Sequence, residues 1–424
     1  MHGDSRLNYN AACPGRPLPR MTSRLASSEH KANPCPYYER LRAESPVHRV
    51  MLPGRKTAWL VTRYADAESV LKDTRFVKDR FNVSDAHAAA WMPWMPGFVR
   101  PLTRNMLDVD NPDHARLRSI VSKAFTPPRI EQMRNRIETL ADDLLTAAQA
   151  RQHLDLIRDF ARPIPTTIIA EMLGVPIEDR GRFTTWSSAI VAADSSKWAT
   201  LRAIPNLWLF IRYLRGLIEA RRTDPQDDLL SALIEAEEAG QRLNEDELLA
   251  MVFLLLVAGY ETTVNLIGNG ALALWQHPDQ LARLRDNPGL IRPAVEELLR
   301  YSGPLELATE RYAREDLAIA GVAIPRGSLV FAAIASANRD DRQFSEPDTL
   351  DITREPNKHL AFGHGAHFCL GASLARMEGQ IAIGALVRRA VQWRPAVEPA
   401  ALRWRRGFVL RGLKSLPLTV SKWA

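Results

Sequence analysis

The sequence predicts a mainly helical single domain with a minor amount of sheet, and three observations carry that expectation. Long stretches of helical apolar periodicity fill most of the 424 residues, two short β-rich pairs interrupt them, and no internal repeat or low-complexity linker divides the chain. Apolar residues at 46% and charged residues at 25% describe an ordinary globular protein and exclude disorder. A chain of this length could also hold two or three average domains, but nothing in it marks a boundary.

Residues 1–30, rich in small, polar and Pro residues, read as a poorly ordered leader, with the domain spanning 31–424 and folding beginning near Tyr37. The first ten residues lack the apolar stretch of a secretory signal. The longest apolar run, 251–259, falls short of the roughly 20 residues that span a bilayer, so a cytoplasmic protein without a membrane anchor is expected. Three scattered cysteines, Cys13, Cys35 and Cys369, are too few for a disulfide framework and suit a reducing compartment. The net charge of +7 includes a late cluster of Arg388, Arg389, Arg403, Arg405, Arg406 and Arg411. No aromatic platforms are interleaved with these residues, which argues for a solvated or protein-docking surface and against a nucleic-acid site.

Along the chain, 47–50 and 58–62 read as a hairpin about Pro53-Gly54-Arg55-Lys56. A second β pair, 317–324 and 328–334, flanks Pro325-Arg326-Gly327. Helical patterns cover 115–125, 130–148, 160–173, 207–222, 244–276, 293–301 and 369–391. The fifth of these is the most informative, because Asn244 followed by Glu247 forms a capping-box pattern and His277-Pro278 supplies a stop. Its middle, 251–258, is apolar on every face, as expected of a helix buried through the core of a large domain.

The chemistry concentrates in Phe362-Gly363-His364-Gly365-Ala366-His367-Phe368-Cys369-Leu370-Gly371. Glycines at 363, 365 and 371 let the backbone turn and approach a flat object without Cβ clashes. A helical pattern follows, so Cys369 sits at a helix entrance, where backbone N–H groups and the helix dipole stabilise a thiolate. A buried core cysteine is the plain alternative. Zinc at His364, His367 and Cys369 lacks a second ligand cluster, and a dinucleotide loop is excluded because Phe368 stands where its third glycine belongs.

The loop resembles the cysteine-ligand signature of the cytochrome P450 family, Phe-Gly-x-Gly-x-His-x-Cys-x-Gly, and every fixed position matches. The resemblance extends from Tyr37 to the carboxy terminus. It implies haem b (iron protoporphyrin IX) set between the long buried helix and the cysteine loop, with Cys369 as axial ligand of the iron; a thiolate ligand, unlike imidazole, favours O–O cleavage. In Ala258-Gly259-Tyr260-Glu261-Thr262-Thr263, the resemblance makes Glu261 and Thr262 an acid-alcohol pair that relays protons to bound dioxygen, with Gly259 leaving room for it. The residues alone also allow a salt bridge for Glu261 and a Thr262 bond back to a carbonyl one turn earlier. Glu297 and Arg300 resemble the family's Glu-x-x-Arg pair, locked to a later arginine, Arg354, although Leu350 stands where the family has an aromatic residue. His114, Arg118, Arg311 and His367 match positions that contact the haem propionates, and Phe362, Gly363 and Gly371 belong to the cradle.

On the substrate side, Trp91-Met92-Pro93-Trp94-Met95-Pro96-Gly97-Phe98 and residues 183–214 match the family's pocket roof, suited to a bulky lipophilic ligand. Glu306 either faces the pocket or points to water. The resemblance implies a monooxygenase that hydroxylates or epoxidises a lipophilic small molecule of macrolide, terpenoid or fatty-acyl type. No flavin or nicotinamide module is visible, so electrons are expected from elsewhere, and the resemblance implies an acidic ferredoxin with its reductase. A peroxygenase would not need the Glu261–Thr262 pair, and a haem sensor or electron carrier would not need an open face at Gly259.

Overall fold

The computed structural model describes residues 25, 27–52, 56–83, 97–183, 185–186, 197–238 and 240–424. Helices dominate, with sheets at the margins. The central helix, Glu245–Gln276, runs 32 residues, or about 48 Å of rod at 1.5 Å per residue. Its start is a full capping box, in which Asn244 Oδ1 accepts from the Glu247 N–H (2.9 Å) and the Glu247 carboxylate accepts from the Asn244 N–H (3.0 Å). Acids at 245, 246 and 247 complement the helix dipole, and the helix ends at His277, whose Nδ1 lies 2.8 Å from the Ala273 carbonyl. By length and composition this helix could cross a membrane, yet Thr263 to Leu274 are buried without interruption inside the protein.

The cysteine loop feeds the helix Ala372–Arg389, which packs along the central helix. Small residues set the approach: a Cβ on Gly379 would meet Leu266 at 2.9 Å, and one on Gly270 would meet Ile383 at 3.1 Å. With Thr263 bonding Glu378, these pairs climb both helices together, so the two run in the same direction. Followed backwards, they lead to Gly259 on one helix and towards Cys369 at the start of the other.

A five-stranded sheet has the order Val47–Leu52, Lys56–Val61, Leu329–Ala332, Arg311–Ala313, Phe76–Val77. The first two strands are the expected hairpin, with Val50 opposite Ala58. The second β pair differs from expectation. Leu317–Ile319 pairs with Val322–Ile324 across Ala320 (φ 47°) and Gly321 (φ 79°), while Leu329–Ala332 joins the main sheet, parallel to Lys56–Val61. Two consecutive left-handed residues make the tight hairpin turn that suits strand twist, so the Pro325–Gly327 turn links sheets and closes no hairpin. The final helix stops at Arg389, and Ala390–Pro395 forms a separate sheet with Pro417–Trp423 and Leu154–Asp155.

Of the expected leader, residues 1–24 and 26 lie outside the described residues. Its end belongs to the fold: Leu25 is buried, and Ser28–Ala32 is a helical strap against the body. The anchor is Glu306, which faces neither water nor a pocket. Its carboxylate accepts from Tyr38 Oη (2.8 Å), lies 2.6 Å from His30 Nε2 and ion-pairs with Lys31, all four groups being buried. Burial opposes ionisation of Glu306, but the His30 hydrogen bond and the Lys31 charge outweigh it and hold the carboxyl below its usual range. A folded-state pKa lower than the unfolded value stabilises the fold above about pH 4.3 and is lost as pH falls through the folded value.

Replacing this acid leaves Lys31 buried without a counter-charge. Glu306→Gln is expected to lose roughly 3–5 kcal/mol in urea denaturation at pH 7, with the gap to wild type narrowing below about pH 4.

Candidate active site

The cysteine loop is shaped by its glycines. Gly363 (φ 71°) and Gly365 (φ 73°) occupy left-handed backbone, and a Cβ on Gly365 would stand 2.8 Å from the Leu71 carbonyl oxygen, so only glycine fits there. The Cys369 N–H donates to the Phe362 carbonyl (2.9 Å) and Phe368 N–H to that of Gly365 (3.0 Å), which folds the loop on itself one turn before Ala372 begins its helix. Burial pushes the Cys369 thiol above its usual value, against the Gly371 N–H and the charges of Arg118 and Arg376. The residue remains open to solvent on one side, beside an exposed Phe368.

Around this loop the structure gathers positive charge. The His114 and His367 rings lie 4.1 Å apart by centroid, and Arg118, one turn after His114, donates to the Phe368 carbonyl (2.7 Å). Arg311 is buried on the adjoining strand. Sequence reading missed a fifth member, Lys78, which is buried and donates to Thr309 Oγ1 and the Glu310 carbonyl at 2.7 Å each. Nothing local distinguishes this lysine; only the pairing of Phe76–Val77 with Arg311–Ala313 brings it there.

The mutual repulsion is strong. Burial, then His114, Arg311, Lys78 and Arg118, bring His367 down to about 2. Burial, then Arg311, lowers Lys78 to about 7, and burial lowers Arg311 to about 10. Among the described residues no carboxylate forms an ion pair with any of these five basic side chains, and His114 Nε2 and Arg311 Nε are buried without a hydrogen-bond partner. Buried cations in this arrangement call for an anion. A flat group carrying two carboxylates beside a thiolate-bound metal supplies one, so the residues present fit a haem.

The central helix completes the site. Along its buried length, Ala258 and Gly259 are exposed, and a Cβ on Gly259 would meet nothing within 4 Å. Thr262 Oγ1 donates to the Ala258 carbonyl (2.8 Å), and Glu261 accepts from Arg405 Nη1 (2.7 Å). Both plainer alternatives read from the sequence are therefore present: the salt bridge and the back-bonded hydroxyl.

Glu297, Arg300 and Arg354 meet below the loop. Glu297, fully buried, receives both ends of the Arg300 guanidinium at 2.8 Å, Arg354 Nε at 3.2 Å, Asn357 Nδ2 at 3.1 Å and the Asp351 N–H at 3.0 Å. Leu350, where the resemblance departed, is buried in the main core and leaves Arg354 in reach of Glu297. Of the expected pocket roof, residues 91–96, 184 and 187–196 lie outside the described residues. Phe98 and Val99 pack on the core from the turn Gly97–Thr103, and Phe183, Trp186, Phe210 and Tyr213 form an aromatic group with rings 5.4–6.4 Å apart.

Fold and site together define a haem-thiolate pocket in a mainly helical domain. The chain belongs to the cytochrome P450 family, whose model, "Cytochrome P450", matches residues 13–288 and 289–400. Cytochrome P450 107B1 of Saccharopolyspora erythraea is 47% identical over 383 residues, covering 90% of this chain and 93% of that protein. The solved structure of the bacillaene polyketide synthase cytochrome P450 PksS of Bacillus subtilis is 44% identical, with a TM-score of 0.87 over 94% of this chain and 99% of that one. Myxobacterial CYP267B1, solved in complex with myristic acid, is 42% identical with the same TM-score and coverage. The protein is accordingly a P450 monooxygenase with haem b held through a cysteine thiolate, working with a substrate, dioxygen and a redox partner.

If this basic group awaits propionates, removing one of its arginines has opposite effects with and without haem. Arg311→Met should make the apoprotein more resistant to urea yet speed haem loss from the loaded enzyme several-fold, measured by transfer to an excess of apo-globin.

Proposed function

We propose that Cys369 would hold the haem iron through its thiolate and that the enzyme inserts one oxygen atom of dioxygen, by hydroxylation or epoxidation, into a lipophilic small molecule of macrolide, terpenoid or fatty-acyl class. The observation that carries this reading is the uncompensated cation group beside an open cysteine. His114, Arg118, Arg311 and His367, joined by Lys78, hold the two haem carboxylates by charge-assisted hydrogen bonds. Phe362, Gly363 and Gly371 let the loop backbone lie close to the ring, and Glu297, Arg300 and Arg354 fix the segment leading into it. Bound in this way, the haem supplies the oxygen-activating chemistry.

The chain's own contribution on the opposite face is space and protons. Gly259 leaves room for a diatomic molecule. Thr262, while donating to the Ala258 carbonyl, keeps an oxygen lone pair free to accept, and Glu261, ionised against Arg405 and partly exposed, would take up a proton from solvent and pass it on to replace the one the hydroxyl gives up. The aromatic group of Phe183, Trp186, Phe210 and Tyr213 suits a bulky apolar substrate. The role of PksS in a polyketide system and the myristic acid bound to CYP267B1 support the substrate class. Electrons arrive from an acidic ferredoxin and its reductase, drawn to a protein of net charge +7, in the cytoplasm.

The proton role is separable from haem binding. Thr262→Ala should leave the haem spectrum unchanged while diverting most consumed reducing equivalents into hydrogen peroxide, read as product and peroxide formed per reducing equivalent. Coupling equal to wild type would remove Thr262 from the relay.

A further inference from the structure

A second cleft, of about 500 Å3, meets the residues described around Cys369 only at Arg300. Its walls come from the strap and the helix that follows it (Asn33, Cys35), the distal half of the central helix (Asn269), the end of the Glu297 helix (Tyr301), and the late segment carrying Trp404 and Arg411.

Two groups in it are incompletely served. Arg411 is half-buried, and desolvation brings its pKa down to about 10. Its guanidinium lies over the Trp404 ring at 4.4 Å and donates to two backbone carbonyls, those of Lys31 (2.8 Å) and Ala32 (3.3 Å). No carboxylate forms an ion pair with it among the described residues, and the acid nearest in effect, Glu306, is engaged by His30, Lys31 and Tyr38. Asn269 is 2% exposed; its Nδ2 donates to the carbonyls of Ser302 (3.2 Å) and Arg411 (2.9 Å), while its Oδ1 has no partner. A buried amide oxygen without a donor raises the free energy of the protein until a complement arrives, and a half-buried guanidinium without a carboxylate beside it offers an anion its charge.

We propose that this cleft is a second ligand site, taking a small organic carboxylate that carries an adjacent hydrogen-bond donor. The carboxylate pairs with Arg411, the donor meets Asn269 Oδ1, and an apolar remainder rests against Trp404 and Leu272. The rim selects further. Asp348, ion-paired with Arg339 at 2.6 Å, and exposed Glu39 oppose a bare polyanion and favour a single carboxylate. Because Arg411 also holds the strap, occupancy is coupled to the N-terminal segment and, through Arg300 in the same wall, to the carboxylate that fixes the cysteine loop.

The test uses the haem-loaded enzyme and 3-phenyllactate as probe, with binding followed by calorimetry and the haem spectrum read in parallel. The expected result is saturable binding of one molecule per chain, unaffected by a saturating azole on the iron. Phenylpropionate, which lacks the donor, and 3-phenylpropane-1,2-diol, which lacks the charge, should each bind at least about tenfold more weakly, the equivalent of about 1.4 kcal/mol. Cys35→Trp, which fills the cleft and leaves Arg411 and Asn269 in place, should abolish binding while the haem spectrum persists; Arg411→Gln should weaken it if that variant folds. No saturable binding up to about 10 mM, displacement by the azole, or full binding in Cys35→Trp would each overturn the proposal, the first assigning Asn269 Oδ1 to water alone.

Discussion

A cysteine can serve as a fixed metal ligand only if the backbone that carries it cannot swing, and in this protein that rigidity is traced to one carboxylate with no access to water. Glu297 spends its two oxygens on Arg300, Arg354, Asn357 and the Asp351 backbone. Arg300 in turn donates to the carbonyls of Asn338, Pro347 and Thr349. An irregular segment with little secondary structure of its own is thereby fastened to a helix, and the cysteine loop hangs from its end. A buried ion pair alone is weak evidence of stability. This one is better understood as setting position, since nearly all its remaining donors and acceptors address loop backbone.

The second constraint is charge. Arg118, Arg311 and Lys78 cluster with His114 and His367, and among the described residues no carboxylate is ion-paired to any of them, which a protein optimised for its empty form would avoid. The cost is local and falls on the ligand-binding end, in contrast to the buried pairs Glu306 with Lys31 and Glu297 with Arg300. The contrast separates a site that must receive an anion from joints that hold the fold. The haem is thus part of the folding chemistry as much as of the reaction.

Much of this was legible because it depends on short-range rules. The central helix announces itself through Asn244, Glu247 and His277-Pro278, and the cysteine loop through glycines at 363 and 365 that take left-handed backbone. The β hairpin at Ala320-Gly321 was missed because an ordinary alanine takes a positive φ there, while Pro325-Arg326-Gly327 looked the better turn. Long-range pairing was invisible. Nothing near Glu306 signals His30, 276 residues earlier, nor does Glu261 signal Arg405, and Lys78 joins the cation group only through strand pairing. The placement of His30, at the end of the expected leader, follows from that same distant carboxylate.

The most direct test of the account is the carbon monoxide difference spectrum of the dithionite-reduced protein, taken beside a Cys369→Ser control. The account predicts a strongly red-shifted Soret band that disappears in the control. An imidazole-like band, or a red-shifted band that survives the substitution, would contradict it and assign the iron to a different ligand.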